Sequence, residues 1–375
     1  MRWSIITGEY PPQRGGVADY SRLVARGLAQ AGDDVEIWAP ATTEPRAPEA
    51  PIVVHGLGDH FGPRAILELN RSLKAEREKE LLVQYVPHAF GMKALNIAFC
   101  LWLYSMRSAR ITVMFHEVAY PLVRNQPLRH TLLGAVNRMM AWLAARSARR
   151  ILISTPAWLD LVRSLASAKA QIEWRPVPSN IAVANDVPSA ELRNALAPNG
   201  RRLIGHFGTY GRLMTDALAE CVGALAAGGT NDRTILLMGR GGREFRQRLL
   251  ARNPELSGLL HATGGLNDRD LSRHVAACDL MVQPYPDGVS SRRTSVMLAL
   301  SHGIPTVTNF GASTERCWGE GAVALCDGYD ARSLAQTAER LLPDQDELRR
   351  LRVNSGKLYA ELFDIRHTIE ALRHP

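Results

Sequence analysis

The residues of this chain best equipped for chemistry lie between Gln283 and Thr308, where Ser290 and Ser291 are followed directly by Arg292 and Arg293. Two hydroxyls and two guanidiniums in succession suit an anion. Arginines can grip a phosphate through paired, charge-assisted hydrogen bonds. The elements that must position them read as strand, loop, helix, turn and strand. Residues 279–283 are a short apolar run fit for a buried parallel strand, and Pro284, Pro286 and Gly288 break it. Ser290 or Ser291 is a good N-cap for a helix over 292–301. Gly303 sits where a C′ glycine ends such a helix, Pro305 follows, and the next strand runs over 304–308. The free backbone N–H groups and positive end of that helix favour an anion at the same place. A capped surface helix with two solvated arginines fits these residues too. The rest of the chain favours phosphate.

A length of 375 residues suggests two domains. With 46% hydrophobic and 22% charged residues, the composition is that of a globular protein. The net charge of +8, carried mostly by arginine, fits a phosphate-bearing ligand, an anionic membrane surface or nucleic acid. No Lys/Arg-rich tract or zinc-finger spacing supports nucleic acid. The small cluster Arg146, Arg149 and Arg150 fits the solvated C-terminal end of a helix. Cys100, Cys221, Cys278, Cys317 and Cys326 are widely spaced and form no C-x-x-C. Neither a disulfide framework nor a zinc site is expected, in keeping with a reducing cytoplasm. The chain enters a strand over 2–7, so no signal peptide is expected. With no run of about 20 apolar residues, no membrane span is expected either.

The first strand leads through a loop over 8–16 into an amphipathic helix over 17–31 and a strand over 35–38. This β-loop-α-β unit demands a parallel sheet and a right-handed crossover. Gly15 and Gly16 fall at the first strand–helix turn, where doubly wound folds bind ligands. They do not form the G-x-G-x-x-G of a nicotinamide site, and a plain tight turn also explains them. Strands follow at 52–54, 81–86, 111–115 and 150–154, with helices at 64–79, 92–106, 128–149 and 156–164. The almost wholly apolar stretch 92–106 reads as a buried helix. Its Phe99, Leu101, Trp102 and Leu103 could instead face a lipid. His116 and Glu117 stand at the end of the strand 111–115. Residues 175–188, with three prolines, connect the halves, and a short helix covers 191–197. A second β/α series has strands at 202–207, 234–238, 260–263, 279–283, 304–308 and 322–325. Its helices cover 213–227, 244–251, 269–277, 333–342 and 345–363, followed by a helical tail. The expected class is α/β, with ligands bound outside the C-terminal ends of the strands.

In order and spacing, several short pieces of nearly the whole chain resemble one family. They are Gly8-Glu-Tyr-Pro-Pro12 with Gly15-Gly-Val-Ala18, Phe115-His-Glu117, Pro178-Ser-Asn-Ile181, Leu236-Leu-Met-Gly-Arg-Gly-Gly242, Gly264 through Pro284, and Ala299-Leu-Ser-His-Gly-Ile-Pro-Thr-Val307. The chain is similar to glycosyltransferases of the GT-B fold, close to the retaining group 1 or family 4 type. The resemblance implies two Rossmann-like β/α/β domains facing each other across a cleft. Residues 1–178 would form the acceptor side, 179–350 the nucleotide-sugar donor side, and 351–375 a helical tail packing back on the N-terminal domain. It implies transfer of a sugar from a nucleoside diphosphate, with retention at the anomeric carbon and without a metal. No cofactor is implied, because the nucleotide sugar is a co-substrate.

The chain also departs from the family pattern. Registration on Gly303-Ile-Pro305 puts Ser290 and Leu298 where the family usually carries two glutamates, one of which holds the nucleotide ribose. The donor-phosphate lysine is missing from Gly211-Arg-Leu-Met-Thr-Asp216. Arg292 and Arg293 are the substitutes, with Arg212 as a third candidate. The chemical demand is positive charge where negative charge grows on the leaving oxygen. The resemblance further implies that His116 contacts the donor sugar, although a strand-end histidine satisfied by hydrogen bonds fits the residue alone. Tyr85 and His88 are candidates for the acceptor. Gly15, Gly16, Gly208, Tyr210, Tyr285, Asp287, Ser290 and Ser291 are candidates for the donor, and Arg240 and Leu266 for flanking its base. Turn chemistry also explains Asp287-Gly288. Asp268-Arg-Asp270 is formally the D-x-D metal signature of a different transferase fold, but a helix start needs such residues as caps.

Two other classes stay open. One is a GT-B-type epimerase or phosphorylase. A pyridoxal-phosphate enzyme would need a suitably placed lysine, and none of Lys74, Lys79, Lys93, Lys169 and Lys357 lies in the phosphate loops. The other is a non-catalytic nucleotide-sugar-binding scaffold, consistent with the missing glutamates. The expected partners are a nucleotide sugar and a carbohydrate, lipid-linked or small-molecule acceptor, with no nucleic acid. The expected location is the cytoplasm, and the basic charge leaves peripheral contact with the inner face of the membrane open.

Overall fold

A computed structural model describes residues 1–46, 49–74, 79–107, 109–184, 186, 189–228 and 232–374, with the side chains of Arg212 and Leu213 outside this description. The expected helix 64–79 and connection 175–188 both run partly beyond the described residues. The chain divides into two compact units, Met1–Val177 with Ile365–Pro375, and Pro178–Asp364.

The first unit has strands β1 (Arg2–Thr7), β2 (Asp34–Pro40), β3 (Val53–Leu57), β4 (Glu80–Tyr85), β5 (Arg110–Phe115), β6 (Arg150–Ile153) and β7 (Gln171–Trp174). They pair in the order β3-β2-β1-β4-β5-β6-β7, parallel throughout. Its helices are α1 (Gly16–Gln30), α2 (Pro63–Lys74), α3 (Ile97–Ser105), α4 (Leu128–Ser147) and α5 (Leu159–Leu165). Helices cover both faces, which is why β4 and β6 are buried at every residue rather than alternating. On one face Ile6, Phe61, Phe99 and Phe115 join one apolar cluster; on the other Ile5, Tyr20, Val24 and Met114 join a second.

Two expectations fail here. The helix expected over 92–106 begins only at Ile97, where the Asn96 side chain accepts from Phe99 N at 3.0 Å. Met92, Lys93 and Ala94 all take positive φ, so the chain turns there instead of winding. The helix is also not buried throughout, since Leu101 is exposed. Strand β7 was missed: it is a half-buried edge strand paired only with β6, too short to show an apolar pattern.

The second unit holds α6 (Ala190–Leu196), β8 (Arg202–Phe207), α7 (Arg212–Ala227), β9 (Arg233–Met238), α8 (Gly242–Arg252), β10 (Leu260–Gly264), α9 (Asp268–Ala276), β11 (Leu280–Gln283), α10 (Thr294–Ser301), β12 (Thr306–Asn309), β13 (Ala324–Cys326), α11 (Ala331–Leu341) and α12 (Gln345–Leu358). Its parallel sheet has the order β10-β9-β8-β11-β12-β13. Each unit is a Rossmann-like domain, and in each the strand order reverses between the first and fourth strands, β1/β4 and β8/β11. Crevices at such switch points are where doubly wound sheets bind ligands.

The end of the chain is shared between the units. The boundary expected at 350/351 falls inside α12, whose Leu348 and Leu351 are buried in the second unit's core. Only α13 (Ile365–Arg373) belongs to the first unit. Its Ile369 lies over Gly27 of α1, and Arg150 donates to the Ala371 carbonyl. Among the described residues, no helix is long and apolar enough to cross a membrane.

Candidate functional site

In the second unit the expected serine cap does not form. Helix α10 starts at Thr294, and its N-cap is Arg293, with no side-chain cap bond. Ser290 and Ser291 lie in the loop before it, both buried. Ser291 is claimed by a more distant residue: its N–H donates to both Glu315 oxygens at 3.1 and 3.0 Å, and its hydroxyl donates to Glu315 Oε1 at 2.6 Å. Trp318 Nε1 donates to the same carboxylate at 2.8 Å. Asn309 holds the loop's other end, accepting from Tyr285 N and donating to Tyr285 O, each at 2.8 Å.

The two arginines do come together, on a carboxylate. Arg292 Nη2 lies 3.2 Å from Asp287 Oδ2, Arg293 pairs with Asp287 Oδ1, and the Ser313 hydroxyl donates to Oδ2 at 3.2 Å. Burial alone would raise the Asp287 pKa; the Arg293 and Arg292 guanidiniums outweigh it and hold the carboxyl below its ordinary range. Asp287 thus organises the arginines, a different place from the donor contact expected of it. Tyr285 is also not at the surface. Its ring lies beneath the Arg293 guanidinium, 5.1 Å from it, and its hydroxyl pairs with Ser295 Oγ at 2.7 Å. Burial pushes this phenol's pKa up.

The loops after β8, β9 and β10 interlock through backbone. Gly208 N donates to Met238 O at 3.2 Å, and Gly239 N to Gly264 O at 3.1 Å. Gly239 has φ +105°, and a Cβ there would collide with the Gly208 carbonyl, so only glycine fits. Tyr210 is a buried strut rather than a free donor contact. Its ring packs on Phe245, and its hydroxyl donates to Met238 O at 3.0 Å. Arg240 is exposed and Leu266 half-buried beside the core. The Arg212 side chain lies outside the described residues. Asp268 and Asp270 occupy the first turn of α9, where Asn267 is the cap, accepting from Asp270 N at 2.9 Å.

Two polar residues not singled out in the sequence, Gln283 and His206, stand at this switch point or beside it. Gln283 ends β11 wholly buried, and neither its oxygen nor its nitrogen finds a partner among the described residues. The Ser290 hydroxyl and Arg293 Nε are likewise buried and unpartnered. His206 Nδ1 donates to Val282 O at 2.9 Å and leaves Nε2 buried as a free acceptor. Burial pushes its pKa down to about 4, so the ring is neutral at pH 7. The available signal was a polar residue inside an otherwise apolar strand.

The first unit treats its strand ends differently. The N–H groups of Val17 and Ala18, at the start of α1, both donate to Glu9 Oε1 at 3.1 Å. A Cβ on Gly15 would collide with that carboxylate. Gly15 and Gly16 therefore open a helix start already occupied by the chain's own anion. His116 is buried, with Nε2 2.8 Å from Gln84 Oε1 and its ring edge-on to Tyr20 at 4.8 Å. Burial lowers its pKa to about 3. The ring is neutral at pH 7 and hydrogen-bonded through Nε2. Tyr85 is not available to an acceptor: it is wholly buried in the core, 4.8 Å from the Phe115 ring. His88 is exposed, with Nδ1 3.5 Å from Glu117 Oε2.

No protein-family model and no curated protein matches the chain. Solved structures do. Sucrose-phosphate synthase from Thermosynechococcus elongatus superposes with a TM-score of 0.73 at 17% identity, over 100% of this chain and 98% of that one. WaaG, a glycosyltransferase involved in lipopolysaccharide biosynthesis, gives 0.68 at 15%, over 98% of each chain. Anabaena HepE in complex with UDP and glucose gives 0.66 at 16%, over 100% and 98%. The chain has the GT-B fold. In GT-B terms, the second unit carries the arginine pair at its switch point, and the first carries His116 and the His88–Glu117 pair at its strand ends. At the two positions registered against glutamates, this GT-B chain has a buried serine and, in Leu298, a side chain wholly within an apolar cluster.

Proposed function

We propose that the protein is a glycosyltransferase that moves a sugar from a nucleoside-diphosphate sugar to a carbohydrate, lipid-linked or small-molecule acceptor, with retention and without a metal. The observation that carries this reading is the gathering of Arg292 and Arg293 on Asp287 at the second unit's switch point. In the transition state negative charge grows on the departing diphosphate, and preorganised cations lower its energy most when held in place beforehand. Asp287 does that holding, and the Tyr285 ring supports Arg293 from below. The fold neighbours add support. Two are synthases of phosphorylated disaccharides, and HepE was solved with UDP and with UDP-glucose. His116, as a neutral group, would bond the donor sugar rather than move a proton, and His88 would serve the acceptor.

A specific observation favours a second reading. Leu298, buried among apolar side chains, cannot hold a ribose, so the chain could bind a nucleotide sugar without turning it over.

Thermal unfolding against UDP, GDP, ADP, CMP and dTDP tests the binding claim. A nucleotide at 100 times its Kd adds about 2.7 kcal/mol. One nucleotide should raise Tm by a few degrees, and Arg292→Ala and Arg293→Ala should abolish the rise. Silence across the panel rejects the reading. With the nucleotide known, NMR of the product's anomeric proton checks retention, and an unchanged rate in EDTA checks metal independence. Binding with no donor consumption supports the scaffold instead.

A further inference from the structure

The first unit carries an apolar surface that the sugar chemistry does not use. Along α4, Leu128, Leu132, Ala135, Met139 and Trp142 are all exposed, Leu128 at 88% and Leu132 at 64%. Their spacing of four, three, four and three residues puts them in one stripe on the outer face, opposite the buried Met140, Ala141 and Ala144. The stripe is widened by the segment that leads from His116 into α4. Leu122 sits against Gly134, the Tyr120 carbonyl accepts from Arg138 Nη1 at 3.1 Å, and Val123 is 64% exposed. At the far end Trp142 stacks on Tyr104 of α3, with ring centroids 6.1 Å apart.

The charges on α4 and on the segment that leads into it have one sign: residues 118–147 hold four arginines, Arg124, Arg129, Arg138 and Arg146, and no acidic residue. Between residues 81 and 159 the sequence has one acidic residue, Glu117, against Lys93 and eight arginines. Arg107 lies over the Tyr104 ring at 4.8 Å, and Arg146 over the Trp142 ring at 5.7 Å. Arg124 and Arg129 are exposed beside Leu128.

We propose that this face, α4 with the 120–124 segment, docks on an anionic lipid bilayer. Leucines with one Trp and one Tyr at their border, rimmed by arginines, match an interface of acyl chains beneath negative headgroups. A second copy of the chain fits poorly. An isologous contact would set two cationic rims face to face with no carboxylate on α4 or on the 120–124 segment to answer them.

The test is sedimentation of the full chain with vesicles of phosphatidylcholine alone or of phosphatidylcholine with phosphatidylglycerol. The protein should pellet with the second kind and stay in solution with the first. Leu128→Ser with Leu132→Ser, both at exposed positions, should weaken binding more than about tenfold while leaving Tm unchanged. Arg124→Ala with Arg129→Ala should weaken it too, and salt should mimic that pair of changes. Three results overturn the proposal: no binding to phosphatidylglycerol vesicles, binding that survives the leucine changes, or a dimer in sedimentation equilibrium that those same changes dissociate.

Discussion

The fourth strand of each unit carries the same pattern near its C-terminal end, Leu81-Leu-Val-Gln84 in the first and Leu280-Met-Val-Gln283 in the second, and both glutamines are wholly buried. Their surroundings differ. Gln84 meets His116, and the helix that opens beside it is answered by Glu9. Among the described residues neither end of the Gln283 amide has a partner, and the Ser290 hydroxyl, His206 Nε2 and Arg293 Nε share that state; of Gln84 only the nitrogen does. A buried polar group without a partner costs about 1–3 kcal/mol. The first unit closes its strand ends in part with its own side chains, through Gln84 Oε1 and Glu9, while the Gln84 amide nitrogen and the Tyr85 hydroxyl stay unpartnered among the described residues. The second leaves both ends of the Gln283 amide unanswered among the described residues, beside an arginine pair held by Asp287, as the proposed donor side would.

The sharpest way to break this contrast is to remove the arginines. Arg293→Ala or Arg292→Ala should each lower kcat by about a hundredfold, near 3 kcal/mol in the barrier. A steady-state transfer assay measures this, and a loss under threefold would remove the arginines from the chemistry. The next effect is on pH. His116 and His206 are held neutral by burial, at about 3 and about 4 against 6.5 when unfolded. Between those values and 6.5 the unfolded state binds the extra proton, so stability falls as pH drops through that window. Each histidine contributes a slope of about 1.4 kcal/mol per pH unit. Urea unfolding from pH 6.5 to 4.5 should show it, and His206→Asn should remove one share. A flat profile would mean that the rings are not buried as described.

Much of the fold was legible because parallel strands covered on both faces must be continuous apolar runs, and the glycine and proline breaks between them are local signals. The arginine pair was legible for the same local reason. What could not be read depends on partners far along the chain. Ser291 looks like a cap, yet Glu315, 24 residues later, takes its N–H and hydroxyl, and α10 begins at Thr294 as a result. Asp287 and Tyr285 look like ligand contacts because nothing local says that one pairs with Arg293 and the other lies beneath it. Tyr85 and Tyr210 look exposed in loop-end positions, yet both rings fill core. Met92 to Ala94 look helical by composition, while their positive φ values follow the turn at Gly91.

A matched pair of substitutions separates the glutamines. Gln84→Leu leaves the His116 ring buried without its partner and should cost about 1–3 kcal/mol in urea unfolding. Gln283→Leu replaces an amide that has no partner by an apolar group, so stability should hold or rise, while stabilisation by the bound nucleotide sugar falls. If Gln283→Leu costs as much as Gln84→Leu, the amide is satisfied in the free protein and the proposed contrast is lost.

The smallest effect concerns Glu9. Its carboxylate stands where the start of α1 would otherwise attract an external anion. Glu9→Gln can keep one acceptor for those N–H groups and removes the charge, so it should cost only about 0.3–1 kcal/mol, and less in high salt. The direction of its effect on ligand binding is more informative than its size. If Glu9 fills this helix start permanently, nucleotide affinity is unchanged in Glu9→Gln, and Gly15 is glycine only to admit the carboxylate. If instead Glu9 yields its place to a donor phosphate, removing its charge tightens nucleotide binding, and Gly15 and Gly16 recover the donor-side role that their position suggests. Titration of both proteins with the same nucleoside diphosphate at low salt decides between them.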